Sequence, residues 1–144
     1  MLAHPPPKWL KPLAWVALIW NLCGVIAFAL QMLMTPEVIS KMPIDQQAAY
    51  SNIPVWSTIA FAIAVFGGTL GSALLLAKKS FALPVFTVSL MAILIQQYYN
   101  FIVINSVEIM GSSAVFMPLF VVVIAILLLC VSFKGKQQGW LYAN

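Results

Sequence analysis

The chain contains no arginine, one histidine, three acidic residues and two cysteines. Each scarcity removes a class of function. Without arginine there is no planar guanidinium fork for phosphate. The seven lysines stand singly or in pairs between apolar runs and form no basic stripe, which excludes nucleic acid as a partner. His4 is followed by Pro5, Pro6 and Pro7, so a bis-histidine haem within apolar helices is excluded. No cluster of His, Cys and carboxylate offers a metal site, and no Ser/His/Asp or Cys/His set lies in an apolar run. No lysine lies inside an apolar run to form a Schiff base. Cys23 and Cys130 occupy different runs and make no CxxC pair, so they read as free, buried small hydrophobes. Catalysis would rest on Glu108, Tyr99 and the acids of one loop alone. The sequence therefore points away from an enzyme and away from a resident metal or cofactor.

What is abundant is apolar sequence. Hydrophobic residues make up 63% of the 144 and charged residues 7%, and the mean hydropathy is +1.02. Soluble domains are about half apolar and about a quarter charged, so the lipid bilayer is the expected surroundings. A membrane-crossing helix needs about 20 apolar residues, and four runs supply them: 13–34, 55–77, 81–104 and 113–133. The expectation is a single all-α membrane domain, a four-helix bundle. The first run exceeds the roughly 7–15 apolar residues of a cleavable signal and reads as a retained helix.

The charges sort by gap. Lys8 and Lys11 precede the first run, Lys78 and Lys79 separate the second from the third, and Lys134 and Lys136 follow the fourth. Glu37 and Asp45 lie in the first gap with one lysine, Lys41, and Glu108 lies in the third gap with none. An excess of lysine marks cytoplasmic loops, which places both termini in the cytoplasm. Trp9, Trp15, Trp56, Trp140 and Tyr142 fall near the expected interfaces, and Trp20 lies deeper. The segment after Lys134 is short and polar and reads as mobile until Trp140 touches the interface.

Thr35-Pro36-Glu37 is a helix start, with a hydroxyl cap, proline at the first position and an acid in the first turn. One or two short interfacial helices are expected in this outer loop. Pro118 belongs either to the first turn of the fourth helix or to a kink in a longer helix that begins near Asn105. Small and polar residues recur at helical spacing, as helices packing in lipid require. Ala14, Ala17, Asn21, Gly24, Phe28 and Gln31 share a face of the first span. Ser57, Ala60, Ala64, Gly67 and Gly71 share one of the second, and Gly68 with Ser72 repeats the spacing one residue later. This glycine-rich stretch serves close helix packing or, alternatively, an unwound point lining a cavity. The fourth span carries bulky aliphatics and almost no polar stripe, as a lipid-facing helix or an oligomer face would.

Polar groups concentrate in the outer half. Gln31, Trp56, Gln96, Tyr99 and Asn100 form the candidate ligand site, with Asn21, Gly24, Gly67, Gly68 and Gly71 as packing residues. Amides donate and accept, and aromatic rings cover apolar faces, which suits a neutral, hydroxyl-rich ligand. The same groups also serve as inter-helix hydrogen bonds without any ligand. Glu108 is either a buried, proton-coupling carboxylate or a first-turn helix cap.

Trp20-Asn21-Leu22-Cys23-Gly24-Val25, Met34-Thr35-Pro36-Glu37 and the run from Ala60 to Gly68 with Gly71 resemble small four-helix bacterial inner-membrane proteins that carry a sugar-transporter label. The resemblance covers about Leu13 to Tyr99. It implies a multi-pass protein of the bacterial inner membrane that moves a small, sugar-like solute, and it assigns no catalytic or substrate residue. Size and helix count are also similar to small multidrug transporters, from which the chain departs because its first helix has Asn21 and Gln31 but no glutamate. Four helices are thin for a wide pathway, so transport implies a homo-oligomer or a partner membrane subunit. The alternative is a non-catalytic accessory or structural subunit whose polar groups serve packing.

Overall fold

A computed structural model describes residues 4–143. The elements run α1 (Leu10–Met32), α2 (Pro36–Ser40), α3 (Ile44–Ser51), α4 (Val55–Leu76), α5 (Ala82–Tyr98) with a π-helical turn (Tyr99–Val103), α6 (Ser106–Met110), a 3-10 turn (Ser112–Val115) and α7 (Phe116–Gln138). Leu10–Met32, Val55–Leu76, Ala82–Val103 and Ser112–Gln138 are each long and apolar enough to cross a membrane. The protein is an all-α, multi-pass membrane protein built as a four-helix bundle. In spatial order α1 packs on α4, α4 on α5 and α5 on α7, while α1 and α7 make no extended contact.

Local chemistry sets the element ends. Thr35 Oγ1 accepts from Val38 N–H at 3.3 Å, with Pro36 at the first helical position and Glu37 in the first turn, so α2 starts where the sequence indicated. The loop between the first two spans holds two short helices, α2 and α3. Pro118 lies in the first turn of α7, where its missing N–H has no helical partner to lose. A separate α6 precedes it, and Gly111, at φ 84°, divides the two. Asn105, at φ 48°, ends the third span in the left-handed region that asparagine tolerates.

Small residues bring α1, α4 and α5 together in two registers. Gly68 and Ser72 face α1. Asn21 Nδ2 donates to Ala17 O at 2.9 Å and to Ser72 Oγ at 3.2 Å, and Ser72 Oγ donates to Gly68 O at 2.7 Å. Gly67 and Gly71 face α5: a Cβ on Gly67 would lie 3.2 Å from Ser89 Cβ, and one on Gly71 2.7 Å from the Phe86 ring. Ser89 Oγ donates to Ala64 O at 2.7 Å, tying α5 to α4. Replacing Ser89 by alanine removes one inter-helix bond of this kind, and a loss of about 0.6 kcal/mol in an unfolding titration in detergent is expected. Gly24 packs on Val65 of α4, with a Cβ position 3.1 Å from Val65 Cγ1.

The larger core cluster lies at the end of the bundle that carries the lysine pairs. It unites Leu10, Ala14 and Ala17 of α1 with Leu75, Ala82, Phe86, Leu128, Trp140 and Leu141. Here the structure corrects the expectation of a mobile tail. α7 continues past Lys134 and Lys136 to Gln138. Gly139 then adopts φ 77°, a conformation that glycine enters freely. Trp140 N–H donates to Gly135 O at 2.8 Å and Gly139 N–H to Lys136 O at 3.4 Å, the pairing of a Schellman turn. The chain folds back, buries Trp140 and Leu141, and pairs with the turn between α4 and α5. Tyr142 N–H donates to Lys78 O at 2.7 Å and Ser80 N–H to Tyr142 O at 2.8 Å. Trp140 meets Trp9 edge to face at 5.7 Å, so it is a core residue and not a member of an interfacial belt. Cys23 and Cys130 are free, as expected, but lie exposed on the bundle surface and are not buried among side chains.

Candidate solute-binding cavity

Away from the lysine end the four spans diverge around a cavity of about 320 Å3. Its wall on α5 follows from helical periodicity. Ile93, Gln96, Gln97 and Asn100 stand at i, i+3, i+4 and i+7, a single face, and all four line the cavity. α1 contributes Trp20, Asn21, Cys23, Gly24 and Ala27; α4 contributes Phe61, Ala64 and Val65; α7 contributes Met117, Pro118 and Val121. Trp20 meets Phe120 of α7 at 6.1 Å between ring centroids, the one aromatic pair joining α1 to α7. Every described lining residue belongs to a membrane-crossing segment.

The lining carries four carboxamides, an indole, a thiol, a thioether and otherwise carbon. Among the described lining residues there is no carboxylate or ammonium group. Asn21 is engaged by its bonds to Ala17 and Ser72. Asn100 Nδ2 donates to Gln97 Oε1 at 3.4 Å, long enough to be a weak bond. The α5 amides therefore offer donors and acceptors to a guest at low cost, and the remaining walls offer apolar contact. The cavity sits at the small end of ligand sites, which run from about 300 to 1,000 Å3 and are mostly apolar with a few placed polar groups. Nothing in the lining is equipped for acid–base or nucleophilic chemistry apart from the lone thiol of Cys23. Among the described residues no group of three or more His, Cys, Asp or Glu side chains could hold a metal ion.

The candidate residues separate into two places. Gln96 and Asn100 line the cavity, and so do Asn21 and Gly24, read from sequence as packing residues. Gln31, Trp56 and Tyr99 do not line it. Tyr99 is buried and its ring meets the Trp56 indole edge to face at 5.5 Å, fastening α5 to the first turn of α4. The π turn begins at Tyr99 and is closed by Ile104 N–H donating to Tyr99 O at 3.0 Å. Gln31 is half-buried near the end of α1. Gly67, Gly68 and Gly71 lie outside the cavity wall, against Ser89, Asn21 and Phe86 respectively. Glu108 is exposed in the first turn of α6, where Asn105 Nδ2 donates to its carboxylate. The position is that of a first-turn acid.

No family model, curated protein or solved structure matches the chain. The resemblance to four-helix inner-membrane proteins rests on the residues quoted for it. Sequence reasoning did not assign Trp20, Gln97 or Cys23 to the site. For Gln97 the signal was present, since it shares the i, i+3, i+4, i+7 face with Gln96 and Asn100. For Trp20 and Cys23 it was not: no spacing within one helix says which flank of that helix meets a cavity.

Proposed function

We propose that the protein binds a small, neutral solute in this cavity, as one step in carrying it across the bacterial inner membrane, with both termini in the cytoplasm. The observation that carries the reading is the single helical face on which Gln96, Gln97 and Asn100 present three carboxamides to a cavity with no charged group among its described lining residues. An uncharged guest with one hydrogen-bonding edge satisfies the amides, and its apolar side contacts Phe61, Val65, Ile93 and Val121. A charged guest would lose its hydration without gaining a counter-charge. A fully hydroxylated guest would leave hydroxyls against carbon on several walls. The favoured solute is therefore less polar than a free hexose. Binding at this place needs one copy of the chain; passage across the bilayer calls for a second copy or a partner subunit.

The test is thermal unfolding of the purified protein in detergent against a panel of neutral alcohols, amides and sugars. A ligand at about 100 times its Kd stabilises the bound state by about 2.7 kcal/mol. At this chain length that is a rise of several degrees, roughly 2–4 °C per kcal/mol. The rise should saturate and should vanish in the Gln96→Leu/Asn100→Leu variant. A panel in which no solute gives a rise that depends on these two amides would refute the reading.

A further inference from the structure

We infer that the cavity is entered from within the bilayer, through the seam between α1 and α7, and that its ligand is a membrane-dissolved neutral amphiphile whose head pairs with carboxamides. The inference rests on the cavity being a binding site, as proposed above, and deepens it by naming the ligand class and its route.

Three observations converge on the seam. The spans form an open series, α1 to α4 to α5 to α7, and its two ends make no extended contact. Around the cavity, the exposed lining residues lie on these two helices: Cys23 and Ala27 on α1 and Met117 on α7. Below them the seam is closed by Trp20 against Phe120 at 6.1 Å, so the gap is a side opening above mid-span and not a slit along the whole bundle.

The aqueous routes are less well served. At the lysine end the folded-back tail and the core around Leu75, Trp140 and Leu141 fill the bundle. At the other end, no described residue of the connecting segments 33–54, 104–109 or 111 lines the cavity, so its described rim is made of membrane-span residues. A rim of alanine, methionine and cysteine at membrane depth meets lipid chains. The amides not already engaged between helices, Gln96, Gln97 and Asn100, stand on α5 and its π turn, which is not a lip of the seam, so a guest entering between α1 and α7 arrives head first with its apolar body trailing toward lipid. A primary amide offers one donor edge and one acceptor to Gln96, Gln97 or Asn100 and gains two bonds from one of these side chains.

Decanamide and acetamide share that head but not their solvent: the first travels in the bilayer, the second in water. The full-length protein is placed in phosphatidylcholine nanodiscs and unfolded thermally with each. Decanamide should give a saturable rise that the Gln96→Leu/Asn100→Leu variant loses, while acetamide at equal aqueous concentration gives none. Ala27→Trp and Met117→Trp, each filling one lip from an exposed position, should weaken decanamide binding about tenfold or more. Their unliganded unfolding temperatures show that each variant is folded. If acetamide binds as tightly as decanamide, or if both lip variants leave decanamide binding unchanged, the cavity fills from water and the lateral route is overturned while the binding site stands. If neither amide gives a rise that depends on Gln96 and Asn100, but a sugar or polyol does, the ligand class falls and the site stands. If no solute at all does so, both fall together.

Discussion

A Gly68→Ala chain should unfold about 2–4 kcal/mol more readily than the parent, and most of that cost should disappear when Asn21 is also alanine. A methyl carbon on Gly68 would lie 2.0 Å from Asn21 Oδ1 and 2.8 Å from its Cγ. Asparagine is too short to bend its amide aside while keeping its rotamer. It must swing away, and its bond to Ser72 Oγ, at 3.2 Å, goes with it. Ser72 has no exposed surface, so no solvent replaces that bond. The penalty then combines overpacking, about 1–3 kcal/mol, with loss of an inter-helix hydrogen bond in lipid, about 0.6 and at most about 1.7 kcal/mol.

The double variant isolates the contact. Asn21→Ala alone gives up the hydrogen bonds but opens the space that a methyl on Gly68 would enter. The expected coupling is about 1.5–3 kcal/mol in a double-mutant cycle read by titration unfolding in detergent. Strict additivity would mean that the two residues do not meet. Gly24→Ala supplies the contrast: its nearest neighbour is Val65 Cγ1 at 3.1 Å, a methyl that moves by a few tenths of an ångström. That substitution should cost less than about 1 kcal/mol.

How much of this was legible in the sequence depended on what kind of statement it was. Apolar runs of sufficient length and alternating lysine gaps carried the number and order of spans, because crossing a bilayer leaves few other solutions. The two offset glycine registers, Gly67 with Gly71 and Gly68 with Ser72, were visible as spacing. That one register serves α5 and the other α1 was not, since periodicity defines a face and never its neighbour. The same limit divided the candidate site. Gln96 and Asn100 fell on the cavity face together with Gln97. Tyr99 is buried away from the cavity lining, and Trp56 of α4 meets it edge to face. Glu108 was open between a membrane carboxylate and a cap because its burial depends on where Asn105 and Gly111 break the helix, and both adopt positive φ.

The tail was misread for a related reason: polarity over 134–139 says nothing about what 140–142 can reach after a turn. Leu141→Ala should lower stability by about 2–4 kcal/mol and Trp140→Ala by about 3–5 kcal/mol, the range for large residues removed from a packed core. Leu141 is 6% exposed and lies in one cluster with Leu10, Leu75 and Leu128, while Trp140 is 8% exposed and edges onto Trp9. Tyr142 behaves differently. Its side chain is 55% exposed, so Tyr142→Ala should cost less than about 0.5 kcal/mol. Tyr142→Pro, in contrast, deletes the N–H that donates to Lys78 O at 2.7 Å. Lys78 is held at φ 58°, a left-handed conformation costing a non-glycine residue about 1–2 kcal/mol. Its carbonyl is then left at the rim of the bundle without that donor. Hydrogen exchange separates this account from one in which the tail merely rests on the surface. The Ser80 N–H, bonded to Tyr142 O at 2.8 Å, should exchange slowly in the parent and quickly in both Tyr142→Pro and the Trp140→Ala/Leu141→Ala variant. Equal exchange in all three would mean that the turn between α4 and α5 holds its shape without the tail, and that the closure of the lysine end belongs to the spans alone.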